Sequence, residues 1–422
     1  MSTPVSSEPP GRPWRASAQG AGGPAVATVP AVAVTGLGSM PGTDPLEAAR
    51  VVAGELPDFP FLPQLPARGA PSRAVGRTSG LLLGMPVDLQ PSGWRLVDAP
   101  GRDAQRVAAD LSADLDSLEE VFDGYRGPLK VSALGPLSLA AALEKNRGAL
   151  LLADHGARRD LAQSLAAGLA AHVEGIRRRI PGARPVLQLD DLRLASVLAG
   201  DVATSSGFGR LRAVDVEEAR GLLASVVAAV STGRGTGAGT GSQTGRGPGG
   251  VPVVLRLPGG LVVDADPTVE RSAPPVLAVV HGSGVAAVAF DPARVATAAY
   301  DAVAELVESG VDLCLGAVDV DPATRGAERP PAGPAGDPDG GSRPEPGSQG
   351  RDGSGRHAGE PAARDVLTFW RALGFGASAM AGRVLLTPSG GLADLSPAAA
   401  RTVLAELRET GHVLGELVEE ER

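Results

Sequence analysis

Apolar positions along the chain follow two rhythms. One is a series of short continuous runs: AVAVTGLGS, LKVSALGP, PVLQLDD, VPVVLRLPG, VAAVAFD, DLCLGAVDV and RVLLTPSGG. Such runs predict strands buried on both faces, the condition of a parallel sheet covered by helices. The other rhythm is helical. Leu161, Leu165, Leu169 and Val173 repeat every fourth residue on one stripe of a helix predicted over 156–179. Further helices are predicted over 44–56, 103–125, 137–145, 216–230, 292–309, 363–374 and 397–418. The last opens with Ser396 as N-cap and Pro397 at the first helical position. GLLLGMPVDL and GWRLVDAP read as a further strand with an irregular extension.

About eight strand-then-helix units result. Their regular alternation predicts an α/β fold, a (β/α)8 TIM barrel, with an open doubly wound sheet as the competitor. The barrel spans residues 31–420. Three stretches lack the apolar residues a core needs and are expected to be disordered. They are residues 1–30, rich in Pro, Ser and Gly, and two low-complexity inserts at about 233–250 and 321–361. His357 lies in the second insert, an accident of composition.

Composition narrows the function. The 422 residues carry a formal net charge of -9, so no nucleic acid partner is expected. Aromatics are 3% of the chain, which leaves the core to Ala, Val and Leu. The N-terminus lacks the apolar stretch of a signal peptide, and no run is long enough to cross a membrane. With Cys314 as the one cysteine, there is no intrachain disulfide and no multi-cysteine metal cluster. A cytoplasmic location fits these features.

In a barrel of this type, chemistry sits where strands hand over to loops. Ser39, Asp190, Asp191, Arg256, Asp291, Asp319 and Ser389 all fall at such places. Asp190 and Asp191 are adjacent on a strand and so point to opposite sides, which rules out a paired acid–base dyad. One of them is free to hold an ammonium group at the mouth, while capping a turn and solvation are the ordinary alternatives. GLGSMPG is not a dinucleotide fingerprint, because Pro41 occupies the place of the third glycine. His155, His172, His281 and His412 show no metal-ligand spacing. Cys314 reads as a small core residue.

Four segments taken together resemble the cobalamin-independent methionine synthase family, at its C-terminal catalytic barrel and in the short single-barrel actinobacterial form. They are VTGLGSMPGTDPLEAARVVAGELPDFPFLPQLPARG, LKVSALGPLSLAAAL, VLQLDDLRLASVLAG and LLTPSGGLADLSP. The resemblance implies that the turn Leu37, Gly38, Ser39 helps bind homocysteine. It also implies that Gln188 and Asp190 stand in a substrate-binding strand end, with Asp190 taking the amino group. Family members hold zinc, which turns the homocysteine thiol into a nucleophilic thiolate. Here the corresponding positions align with Leu255, Leu257, Asp291 and Gly390, a degenerate zinc site, so no metal or other cofactor is expected.

Two readings of function follow. One is methyl transfer from a folate, or from another donor such as a methyl-donor protein, to the thiol of homocysteine. The alternative is a zinc-free, catalytically degenerate barrel that binds homocysteine, methionine or a related small molecule. A third possibility is metal-free chemistry like that of uroporphyrinogen decarboxylase, in the same superfamily, recruiting Arg68, Arg77, Arg256 and Asp190.

Overall fold

The computed structural model describes Trp14 and residues 32–232, 250–257, 275–320 and 359–421. Residues 233–249 and 321–358 of the two predicted inserts, His357 among them, and most of the N-terminal segment lie outside the described residues, while residues 359–361 lead into the helix Glu360–Ala372.

Ten strands are assigned among the described residues: β1 Ala33–Val34, β2 Val87–Gln90, β3 Gly93–Leu96, β4 Gly127–Leu134, β5 Leu143–Glu144, β6 Ala183–Asp190, β7 Val253–Arg256, β8 Ala287–Phe290, β9 Asp312–Val318 and β10 Val384–Pro388. Seven of them form one sheet in the order β1-β10-β9-β8-β7-β6-β4, with every pairing parallel. Helices cover the outside, so the sheet curls into a barrel-like α/β wall. The segment 60–64 carries no strand assignment yet bonds to both edges of this sheet. Leu62 N donates to Lys130 O at 2.8 Å and Lys130 N to Pro60 O at 2.9 Å on the β4 side. Gln64 N donates to Gly38 O and Met40 N to Gln64 O, both at 2.8 Å, on the β1 side. At this seam Phe61 packs so closely on Gly36 that a Cβ there would fall 2.2 Å from the ring.

The strand predicted from GLLLGMPVDL and GWRLVDAP is displaced from the wall. Its residues form the antiparallel pair β2–β3, joined by β5 into a separate three-stranded sheet. The helix predicted over 137–145 stops at Ala140 for the same reason. Glu144 is drawn into the small sheet by Arg95, whose Nη2 donates to Glu144 Oε2 at 2.6 Å. The helix predicted over 292–309 also breaks up. Asp291 caps a single turn at Pro292–Arg294, Val295 and Ala296 are extended, and the helix proper is Tyr300–Glu308.

Other helices follow the sequence closely. Asp44 caps Pro45–Glu55, and Ser396 caps Pro397–Glu420 by accepting from Ala399 N. His155–Arg179 buries Leu161, Leu165, Leu169 and Val173, as its stripe requires.

Strand alternation sorts the core into two layers. Leu187, Leu189, Val253, Leu255, Val288, Leu313, Leu315, Val384 and Leu386 pack outward against the helices. Val186, Val254, Ala287, Ala289, Cys314 and Leu385 face the other way, into the curl of the sheet. Trp14 joins this inner layer with Phe59, and its Nε1 donates to Gly382 O at 3.3 Å. Gly382 lies just before β10, so Trp14 plugs the end of the wall where strands begin. One residue of the N-terminal segment expected to be disordered is therefore a packed core residue.

Candidate functional site

Inward-facing positions become polar toward the C-terminal ends of the strands, and there the candidate residues gather. After β1 the chain turns through Gly36, Leu37, Gly38 and Ser39. Gly38 adopts φ +116°, and a Cβ on it would press on Ser132 Oγ at 3.1 Å, so glycine meets both a conformational and a space requirement. The turn is held from two sides. The buried carbonyl of Leu37 accepts from Gln188 Nε2 at 3.0 Å, and Leu392 N, beyond β10, donates to Ser39 O at 3.2 Å. The first and last βα turns thus touch, and a Cβ on Gly391 would sit 2.3 Å from Ser39 Oγ.

Gln188 is fully buried on β6 and links three groups. Its Oε1 accepts from Lys130 Nζ at 2.7 Å, while its Nε2 donates to Leu37 O and to Asp190 Oδ1, the latter at 2.7 Å. One amide nitrogen therefore brings the β1 turn and the Asp190 carboxylate together. Lys130 was not a candidate from sequence, although a lysine inside the apolar run LKVSALGP at an inward position is a visible signal. Burial lowers its pKa to about 8, against the opposing pull of Cys314 and Asp190.

Asp190 ends β6 and Arg256 ends β7, and the two are register partners. Arg256 Nη1 lies 3.9 Å from Asp190 Oδ2, with the side chains 20% and 13% exposed. Burial raises the Asp190 pKa, while Arg256, Gln188 and Lys130 oppose the shift. Asp191 turns to the other side, as strand alternation requires. Its carboxylate accepts from Ser138 N at 2.7 Å, Ser138 Oγ at 2.6 Å and Leu137 N at 3.3 Å, capping the short helix Pro136–Ala140. Its role is structural, although burial raises its pKa to about 6.

The rest of the rim comes from the next strands. Asp291, just past β8, accepts from Ala293 N at 3.0 Å and faces Arg294 at 3.4 Å. Burial raises its pKa, with Asp319 adding to the rise. Ser389, just past β10, donates from Oγ to Asp319 Oδ1 at 3.5 Å. Gly390 backs onto Val320.

Of the positions that the resemblance aligns with zinc ligands, two flank the end of β7. Leu255 and Leu257 lie in the outer layer, packed against the helices, because the inward residue at this strand end is Arg256. A guanidinium donates only and repels a cation, so it does not fit a metal donor set. Cys314 is buried low in the wall, its pKa raised by burial despite nearby Lys130. His281 is exposed after the helix Pro275–Val280 and before β8, at the opposite end of the strands. Among the described residues no group of three or more His, Cys, Asp or Glu side chains is placed to hold a metal ion. Nor is any helix among them long and apolar enough to cross a membrane. Arg68 and Arg77 do not join the mouth; both pair with buried Asp114 on the helix Arg102–Val121.

No family model matches the chain and no curated protein matches its sequence. Solved structures do match. A B12-independent methionine synthase from Shewanella sp. W3-18-1, in complex with selenomethionine, aligns with a TM-score of 0.51 at 12% identity, over 92% of this chain and 99% of that one. At that identity the likeness is one of fold: an α/β chain whose parallel strands curl as in a TIM-like barrel.

Proposed function

We propose that the mouth of this barrel binds a small α-amino acid of the homocysteine–methionine kind, with Asp190 taking the ammonium group and the Leu37-Gly38-Ser39 turn closing over the ligand. The observation that carries the reading is Gln188 Nε2, which bonds the Leu37 carbonyl and the Asp190 carboxylate at once. It holds Asp190 Oδ1 in place and leaves Oδ2 3.9 Å from Arg256 Nη1. Burial raises the Asp190 pKa, Arg256 and Lys130 oppose that shift, and a bound ammonium group adds to their opposition.

In this reading the residues 31–420 form one (β/α)8 barrel, with segment 60–64 as the eighth, irregular strand that closes β1 onto β4. The guanidinium of Arg256 at the end of β7 speaks against zinc activation of the kind the resemblance implies, because it donates only. Methyl transfer to the homocysteine thiol would then lack the usual means of making thiolate, so binding without zinc-dependent methyl transfer is the function we favour.

The test is calorimetric titration with L-methionine and L-homocysteine. The intact protein binds at least one of them, and Asp190→Asn weakens that binding by roughly tenfold or more, as expected for loss of a charge-assisted hydrogen bond. Equal affinity in the two proteins contradicts the role given to Asp190.

A further inference from the structure

We infer that Arg256 recognises the α-carboxylate of the ligand whose ammonium group Asp190 holds. The inference rests on the amino-acid reading above and adds to it a second residue and the group it binds.

Three observations support it. The first is spacing. Asp190 and Arg256 end adjacent parallel strands in register, yet Nη1 and Oδ2 stand 3.9 Å apart. That is too long for a charge-assisted hydrogen bond. An α-amino acid carries its opposite charges on neighbouring carbons, so its ammonium and carboxylate, a few ångströms apart, can lie alongside this pair and bond one member each.

The second is unused donor capacity. A guanidinium has five N–H groups in a planar fork suited to a carboxylate. Among the described residues the contact of Arg256 is the long pair with Asp190, although four-fifths of its side chain is buried. The third is charge. Lys130 and Arg256 both face Asp190, two cations against one carboxylate. A bound carboxylate gives the Arg256 guanidinium an anion of its own, which Asp190, facing Lys130 as well, does not supply.

The experiment titrates three probes into the intact protein, Arg256→Met and Arg256→Lys. The probes are L-methionine, 3-(methylthio)propylamine, which lacks the carboxylate, and 4-(methylthio)butanoate, which lacks the ammonium group. Arg256→Met is expected to weaken L-methionine by roughly ten- to hundredfold, to abolish detectable butanoate binding and to leave the amine unchanged. Arg256→Lys recovers part of the loss and guards against a folding defect in the methionine variant.

The proposal is overturned if Arg256→Met weakens the amine as much as L-methionine, or leaves the butanoate unaffected. If the intact protein binds the butanoate through Arg256 but neither L-methionine nor the amine, the role of Arg256 stands and the amino-acid reading falls. If none of the probes binds, both are overturned.

Discussion

Lys130 Nζ donates to Gln188 Oε1 at 2.7 Å inside the barrel wall, and this single bond decides how the Gln188 amide faces. An ammonium group can only donate, so the amide must turn its oxygen to Lys130 and its nitrogen to Leu37 O and Asp190 Oδ1. A buried lysine thereby orients the carboxylate at the mouth without touching it. The cost is a cation held out of water, which lowers its pKa to about 8.

That cost makes stability depend on pH in a definite direction. The Lys130 pKa falls from the model-compound 10.5 to about 8 in the fold. Between these values the unfolded chain binds more protons than the folded one, so this group makes stability rise with pH across the window. The penalty is fully present below pH 8 and gone above about 10.5. Lys130→Met removes the titration. In denaturant melts from pH 7 to 11, the intact protein should gain on the order of 3 kcal/mol relative to the variant. Parallel pH dependences would show that Lys130 titrates normally.

The contact between the first and last βα turns predicts a binding effect with little loss of fold. A methyl group at position 391 would fall 2.3 Å from Ser39 Oγ, a side-chain end that can rotate away. Gly391→Ala should cost under about 1 kcal/mol of stability and still weaken L-methionine binding by displacing the Ser39 hydroxyl. Added to Ser39→Ala, the same change should do little more, since the clashing atom is gone. Additive losses in the double variant would place the effect elsewhere.

Trp14 is 5% exposed and shares a buried cluster with Phe59, Val186 and Val254, its indole bonded to Gly382 just before β10. Trp14→Ala should destabilise the protein by about 3–5 kcal/mol, measured by urea denaturation. A shift within about 0.5 kcal/mol would mean that Trp14 does not pack in the core.

The parallel wall was legible because its strands are covered on both faces and read as unbroken apolar runs. The cap Ser396 was legible because an N-cap is a local chemical choice, made by the residue and the few that follow it. The fate of GLLLGMPVDL was not. A strand looks the same from sequence whether it joins the wall or a side sheet, and the deciding bonds from Arg95 to Glu144 join residues far apart in the chain. The segment 60–64, FLPQ with its flanks, is rich in proline and hides its pairing. Within the site, the split between Asp190 and Asp191 followed from strand alternation alone. The identity of the inward residue on β7 did not, since a shift of one residue exchanges the two faces of a strand. Leu255 and Leu257 are core residues, and Arg256 is the one that faces the mouth.

We propose that this mouth holds an amino acid without zinc. The most direct measurement is the zinc content of the purified protein before and after dialysis against a chelator, with L-methionine binding followed by calorimetry on both samples. Far less than one zinc per chain, and binding that survives the chelator, is the result predicted here. One tightly held zinc per chain, with binding lost when it is removed, would contradict the account.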